Sequence, residues 1–286
     1  MINKLTLIGV GLIGGSFALA LREAGLVREV VGVGRSAENL SAALGMYVID
    51  AYAEAAQAVQ GADVVMLAVP VGQMGPLMAA IAPHLAPSAI VTDAGSTKQD
   101  VVALARANLA QHFAQFVPGH PIAGAERSGV KAARGDLFRE RNVVLTPLPD
   151  TNPAAKEKIA QLWQACGAKV SEMTPALHDE VFAAVSHLPH LLAFGLVDYI
   201  AAQPNAEQLF GFAASGFRDF TRIAGSSPEM WRDICLANRD ALLQQIAGYE
   251  AELARIKQLI EAGDGEALAA LFGHARDARR KHLENF

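Results

Sequence analysis

Gly9-Val10-Gly11-Leu12-Ile13-Gly14 directly follows a short apolar run and opens an Ala- and Leu-rich segment. That context gives each glycine a task in holding a dinucleotide. Gly9 allows a tight turn, Gly11 lets a pyrophosphate approach the backbone, and Gly14 lets the following helix pack on the strand. Leu12 and Ile13 then lie at a helix N-terminus, which faces the anion. An acid about 20 residues further on would bind the ribose 2′-hydroxyl of NAD. The chain reads Gly32-Val33-Gly34-Arg35-Ser36 there, with no acid. Nothing repels a 2′-phosphate, and Arg35 with Ser36 can hydrogen-bond one, so the expected cofactor is NADP, with NAD the alternative.

Three further segments carry polar or rigid residues after apolar runs, where a doubly wound sheet places its chemistry. Val69-Pro70-Val71 is a rigid turn suited to lie along a nicotinamide. Asp93-Ala94-Gly95-Ser96-Thr97-Lys98 offers hydroxyls and a cation, although Ser96 or Thr97 could simply cap a helix. The segment Gly119 to Gly129 is long, punctuated by glycine, and contains His120 beside Pro121. A histidine is often structural. Placed after a parallel strand, however, it is the natural base for a hydroxyl proton that must leave as hydride departs.

These residues need a frame. Strand-like runs occur at Leu5-Thr6-Leu7-Ile8, Val30 to Val33, Val64 to Val69, Ala89 to Thr92, Phe116-Val117 and Asn142 to Leu145. Helical segments lie between the early ones, roughly 13–24, 36–45, 72–82 and 98–110. That alternation predicts an α/β fold, a Rossmann-type doubly wound parallel sheet. From Pro175 onward strand signal almost vanishes, and helices are expected over 176–202, 205–221, 228–262 and 265–283. With 286 residues the chain suits two domains, an N-terminal dinucleotide-binding domain over 1–173 and an all-helical domain over 174–286. In the third helix, Leu242, Ile246, Tyr249, Leu253, Ile256 and Ile260 form a heptad-like seam, which reads equally as a core stripe or a dimer interface.

Composition narrows the function classes. The net charge is −5 with no basic block, which disfavours nucleic acid and anionic membranes as partners. Two distant cysteines, Cys166 and Cys235, exclude a disulfide framework and a thiolate zinc site and suit a reducing cytoplasm. The apolar run Leu5 to Leu21 is short for a membrane span, and its four glycines weaken it as a signal helix.

Taken in order, the glycine loop, Asp93 to Lys98, His120-Pro121-Ile122-Ala123-Gly124, Ser186-His187-Leu188-Pro189-His190, Arg218-Asp219-Phe220-Thr221-Arg222-Ile223-Ala224 and Trp231 carry a resemblance. The chain resembles the prephenate/arogenate (cyclohexadienyl) dehydrogenase family of tyrosine biosynthesis along essentially its whole length. The resemblance implies an oxidative decarboxylation in which hydride passes to NAD(P). It implies that His120 accepts a hydrogen bond from the substrate 4-hydroxyl as the polarising base, and that Ser96 bonds the same hydroxyl near the nicotinamide. Arg222 matches the arginine that grips a substrate carboxylate, and Arg218 is a second candidate cation. His187 or His190 is expected to line the substrate pocket. The two are spaced i, i+3 on a helix expected to bend at Pro189, with no third ligand for a metal. Glu126 and Asp219 match acidic positions at the mouth of the site. A homodimer through the helical half is also implied. A fused chorismate mutase or regulatory domain is not expected.

Two other classes compete. A β-hydroxyacid dehydrogenase or imine reductase shares the two-domain plan. The former would be expected to place a catalytic lysine in the first long helix of the second half, and residues 176–202 contain none. A non-catalytic dinucleotide sensor would have no use for His120, Ser96 and Arg222.

Overall fold

The structure is a computed structural model, and it describes residues 1–125 and 127–283. Six short apolar strands build its main sheet: β1 (Ile2–Ile8), β2 (Val27–Val33), β3 (Ala51–Tyr52), β4 (Val64–Leu67), β5 (Ile90–Asp93) and β6 (Phe116–Val117). All are parallel, in the order β3-β2-β1-β4-β5-β6. Consecutive residues of the central strands feed opposite cores. Leu5, Leu7, Val64 and Met66 enter one cluster with Phe17, Leu21 and Trp163, whereas Ile8, Val65 and Leu67 enter the other with Met78, Val101 and Phe116. Burial on both faces is why these strands read as unbroken apolar runs. The strand order reverses between β1 and β4, and a crevice at such a point receives ligands in open α/β sheets. The glycine loop and Val69-Pro70 leave the sheet there.

Six helices accompany this half of the chain: α1 (Leu12–Glu23), α2 (Ala37–Gly45), α3 (Ala55–Ala58), α4 (Met74–Ile81), α5 (Gln99–Asn108) and α6 (Pro153–Ala165). A second, small sheet was not anticipated. It consists of β7 (Gly119–Pro121), β8 (Asn142–Leu145) and β9 (Lys169–Glu172), with β7 antiparallel and β9 parallel to β8. Asn142 to Leu145 therefore does not extend the main sheet, and His120 sits not in a loop but in the middle of an edge strand. Pro121 is tolerated because it ends that edge strand, where a missing N–H costs little.

The helical half begins with α7 (Pro175–Phe182), a π-helical turn (Ala183–His187) and α8 (Leu188–Ala201). The expected bend at Pro189 thus becomes a π-turn just ahead of it. A proline has no N–H to close the preceding α-turn, and such bulges are a recognised way to accommodate the gap. Next come α9 (Ala206–Gly211), α10 (Ser215–Thr221), α11 (Pro228–Ala237), α12 (Arg239–Ala262) and α13 (Gly265–Leu283). The start of α11 follows its local signals. The Ser227 hydroxyl accepts from the Met230 N–H at 3.3 Å, and Pro228 occupies the first turn. The single helix expected over 228–262 is broken at Asn238, whose side chain is used elsewhere.

Backbone contacts divide the chain into two compact units, Met1–Arg239 and Asp240–Phe286. Helices α7 to α11 fall within the first unit, where His178 and Asp179 of α7 bond His120 and the backbone at the start of α5. The continuous run Pro175–Ala201 is long and apolar enough to cross a membrane by length and composition. In this structure it nevertheless buries His178, Asp179 and His187, which join that polar network. The second unit comprises most of α12 and α13. Along the α12 seam Leu242 is buried, while Tyr249, Leu253 and Ile260 are exposed.

Candidate active site

The glycine loop has the shape its sequence implies. Gly9 has φ +100°, and a side chain there would run into the Ala68 carbonyl at the end of β4. A Cβ on Gly14 would sit 2.5 Å from the Gly9 carbonyl oxygen, so only hydrogen lets α1 pack on the turn. A Cβ on Gly11 would meet nothing within 4 Å. The backbone is thus open where a pyrophosphate would approach, at the start of a helix whose N-terminus has no side-chain cap. Leu12 and Ile13 form that first turn. Together these features fit a dinucleotide.

Past β2, Arg35 is exposed and Ser36 caps α2, its hydroxyl accepting from the Asn39 N–H at 3.2 Å. A cavity of about 250 Å³ lies here, lined by Ser36, Glu38, Asn39, Ser128, Val130 and Lys131 among others. Lys131 Nζ is 3.7 Å from the Glu38 carboxylate, and both groups are exposed. Val69 and Pro70 are partly buried and lead into a 3₁₀ turn, Val71–Gln73.

Asp93, at the end of β5, ties the next two loops together. Its carboxylate accepts from the N–H of Gly95 at 2.8 Å and of Gly119 at 3.1 Å, and pairs with Lys98 Nζ at 2.5 Å. Both charged side chains are fully buried. Removing either partner from such a pair would strand the other charge, a loss of about 3–5 kcal/mol. Neither Ser96 nor Thr97 caps α5. The cap comes from α7, where Asp179 accepts from the backbone N–H of Lys98 and of Gln99, each at 2.8 Å. Ser96 remains partly exposed beside the sheet.

His120 follows the Gly119 that Asp93 anchors, and the residue is half-buried. Its Nδ1 lies 2.8 Å from His178 Nε2, and His178 Nδ1 lies 2.8 Å from Asp179 Oδ1. The Phe182 ring packs against both imidazoles, with centroids 4.8 and 4.5 Å away. Burial, the neighbouring His178, the Lys98 ammonium and His187 together hold the His120 pKa well below its usual value. Burial also lowers His178, against the pull of Asp179. For Asp179 burial opposes ionisation, but the bonds from His178, Gln99 and Lys98 outweigh it and keep the carboxylate charged.

His187 is buried at the end of the π-turn, where Asn238 Nδ2 lies 3.0 Å from its Nδ1 and also donates to the Asp179 carbonyl oxygen at 2.8 Å. Burial pushes the His187 pKa down to about 4, with the Ser96 backbone and Asp179 opposing that shift. His187 Nε2 is buried, and among the described residues no partner meets it in hydrogen-bonding geometry. His190, one turn on, places Nδ1 2.9 Å from the Ser186 carbonyl oxygen and stacks on Trp231 at 3.8 Å. Its pKa is lowered by burial and by the Arg222 guanidinium. Arg222 does not lie within α10 with Arg218 but opens the 3₁₀ turn after it. Among the described residues, no group of three or more His, Cys, Asp or Glu is placed to hold a metal ion.

His120 is thus joined to Asp179 through His178, and His187 reaches the same residue through Asn238, while His190 stacks on Trp231. The Ser96 backbone acts on His187, and Arg222 is near enough to His190 to lower its pKa. Arg218 and Asp219 stand exposed on α10, and no ion pair joins them among the described residues. Glu126 lies outside the described residues. Sequence reasoning missed His178, Asp179 and Asn238. Their signals were weak but present: a His-Asp pair early in an otherwise apolar helical run, and an Asn, poorly suited to a helix interior, in the middle of a long helical pattern.

The family described as "Prephenate dehydrogenase, nucleotide-binding domain" matches residues 17–172, and "Prephenate dehydrogenase, dimerization domain" matches residues 174–274. The chain is 40% identical over 282 residues to the prephenate dehydrogenase of Bacillus subtilis, covering 98% of this chain and 76% of that protein. It is 35% identical to the cyclohexadienyl dehydrogenase of Zymomonas mobilis, covering 97% and 95%. A crystal structure of prephenate dehydrogenase from A. aeolicus, in complex with hydroxyphenyl propionate and NAD+, superposes with a TM-score of 0.92 at 36% identity, covering 98% of both chains.

Proposed function

The chain belongs to the prephenate dehydrogenase family, and from that premise we propose how its residues divide the work of an oxidative decarboxylation. The enzyme acts in tyrosine biosynthesis on prephenate, arogenate or both. The products are 4-hydroxyphenylpyruvate, tyrosine or both, together with carbon dioxide. A nicotinamide dinucleotide, when bound, accepts hydride from the ring carbon that bears the 4-hydroxyl. As hydride leaves, positive charge grows on that carbon and its oxygen. The ring carboxylate departs as CO₂, and the electron pair of the broken C–C bond completes the aromatic ring.

His120 stabilises the growing charge by accepting the hydrogen bond of the 4-hydroxyl. The observation that carries this role is its placement: a half-buried histidine at the carboxyl side of the sheet, with Nδ1 held by a buried partner and Nε2 making no hydrogen bond among the described residues. Ser96 shares the hydroxyl and borders the nicotinamide. Arg222 holds a substrate carboxylate, since its fork can make two parallel bonds to a planar anion. His187 and His190 line the pocket. Arg218 is a second cation, and Asp219 with Glu126 guards the entrance.

Gly9, Gly11, Leu12, Ile13 and Gly14 hold the pyrophosphate, with Val69 and Pro70 beside the nicotinamide. For the adenosine end we propose NADP over NAD. Arg35 has no competing acid at the end of β2, and Ser36 and Lys131 line the adjoining cavity. Glu38 also lines it, and its charge is offset by Lys131. One steady-state matrix tests substrate and cofactor together, with prephenate or arogenate against NAD or NADP and reduced nicotinamide followed by absorbance. A higher kcat/KM with NADP is expected. Faster turnover with NAD would reverse the cofactor assignment, and no turnover in any cell of the matrix would remove the activity.

We further propose a cytoplasmic homodimer. The exposed apolar positions Tyr249, Leu253 and Ile260 repeat along α12, and the second matched family segment is described as a dimerization domain. Sedimentation equilibrium should report twice the 30.2 kDa chain mass, and a monomer at micromolar concentration would exclude the dimer.

A further inference from the structure

His178 and Asp179 are adjacent on α7, and their side chains are 0% and 1% exposed. The Asp179 carboxylate can only accept hydrogen bonds. It takes two from the backbone N–H groups of Lys98 and Gln99. The third contact, His178 Nδ1 at 2.8 Å, therefore has to be a donor. Buried and neutral, His178 with hydrogen on Nδ1 has a lone pair on Nε2. That lone pair faces His120 Nδ1 at 2.8 Å, so His120 must carry its hydrogen on Nδ1. Its own lone pair then sits on Nε2, the nitrogen turned away from the buried pair.

We propose that His178, oriented by Asp179, is a positioning residue that locks His120 in the Nδ1–H tautomer and so presents Nε2 as the base. This rests on the reading of His120 given above. Without the lock a neutral histidine favours the opposite, Nε2–H form, which would donate toward a substrate hydroxyl where it must accept. No proton needs to cross from His120 to His178 in the reaction. As His120 gains positive charge, its Nδ1–H becomes a stronger donor to His178, with the Asp179 anion behind. The other groups around the pair are the Lys98 ammonium, neutralised by Asp93 at 2.5 Å, the buried His187 and the apolar Phe182 ring.

Long-range ¹H–¹⁵N spectra of the labelled protein report which ring nitrogen carries hydrogen, with His120 identified by its loss in His120→Asn. The wild-type protein should show His120 protonated on Nδ1 near neutral pH. In His178→Phe the His120 ring should shift toward the Nε2–H form. Its kcat should fall roughly 10- to 100-fold, as for a misaligned catalytic group, while the prephenate KM and the cofactor Kd stay within about threefold. In His178→Gln the side-chain oxygen can take the place of the Nε2 lone pair. That variant should keep the Nδ1–H form and recover most of the lost rate.

An Nε2–H ring in the wild-type protein would overturn the proposal, as would an unmoved tautomer in a folded His178→Phe. A Gln variant as slow as the Phe variant would reduce His178 to packing. Should His178→Phe fail to fold, the wild-type spectrum and the Gln variant still decide. The wild-type tautomer is read without substrate. A protein inert toward prephenate yet carrying the Nδ1–H ring would therefore sink the proposed activity and leave the positioning role supported.

Discussion

His120→Asn is expected to fold, to bind cofactor with unchanged Kd, and to turn over prephenate about 10²- to 10⁴-fold more slowly, the usual range for losing a general base. The asparagine amide can stand near the place of Nδ1 and donate to His178, so the buried network survives. What disappears is the basic nitrogen toward the substrate. Steady-state kinetics and a cofactor titration check the split. A kcat within about threefold of the parent would dismiss His120 as the base. The parent enzyme also has a pH signature. The base works only when neutral, so activity is lost as pH falls through the His120 pKa. Burial, His178, Lys98 and His187 set that pKa well below 6.5. The acid limb of kcat/KM should therefore stay flat through pH 6.5 and fall only at lower pH. A limb centred at or above 6.5 would contradict the environment described for this ring.

Arg222→Gln is expected to raise the prephenate KM by roughly 100- to 1000-fold, about 3–4 kcal/mol, with little change in cofactor Kd. The reason is geometric as well as electrostatic. The guanidinium opens a 3₁₀ turn close enough to His190 to lower its pKa, and His190 stacks on Trp231. A substrate carboxylate held there meets a planar fork on a packed aromatic wall, which a glutamine amide cannot reproduce. Equal weakening of substrate and cofactor binding would mean that Arg222 supports the fold instead of gripping an anion.

What was legible in the chain was mostly local. The glycine loop, the strand runs and the capped start of α11 each depend on neighbouring residues, and each forms the element expected, although Asn142 to Leu145 joins the second sheet. The motif residues were also visible: His120 and Ser96 lie just beyond strand-like runs, and Arg222 was carried by the family resemblance. The competing dehydrogenase reading failed on a local feature too, the absence of lysine from the first long helical run.

The rest depended on contacts between distant residues. Ser96 or Thr97 looked like the cap of α5, yet the cap is Asp179, 80 and 81 residues from its partners. Nothing near Lys98 in sequence could announce it. The strand β7 was hidden because its ladder partner, β8, lies more than 20 residues on, so that local pattern alone suggested a loop. Asn238 looked like an ordinary position in a long helix until its amide was found between His187 and the Asp179 carbonyl.

Composition, period and motif were enough to determine that this chain builds a nucleotide-binding sheet followed by helices, and which side chains carry reactive groups. Only the tertiary structure decided which groups face one another. His120 is joined to His178 across 58 residues, and Asp179 behind that pair governs which nitrogen of each ring carries hydrogen. The physical reason is range. Backbone propensity and side-chain pattern act over a few residues, whereas burial and hydrogen bonding, which govern a titratable group, are supplied by whatever part of the chain folds against it.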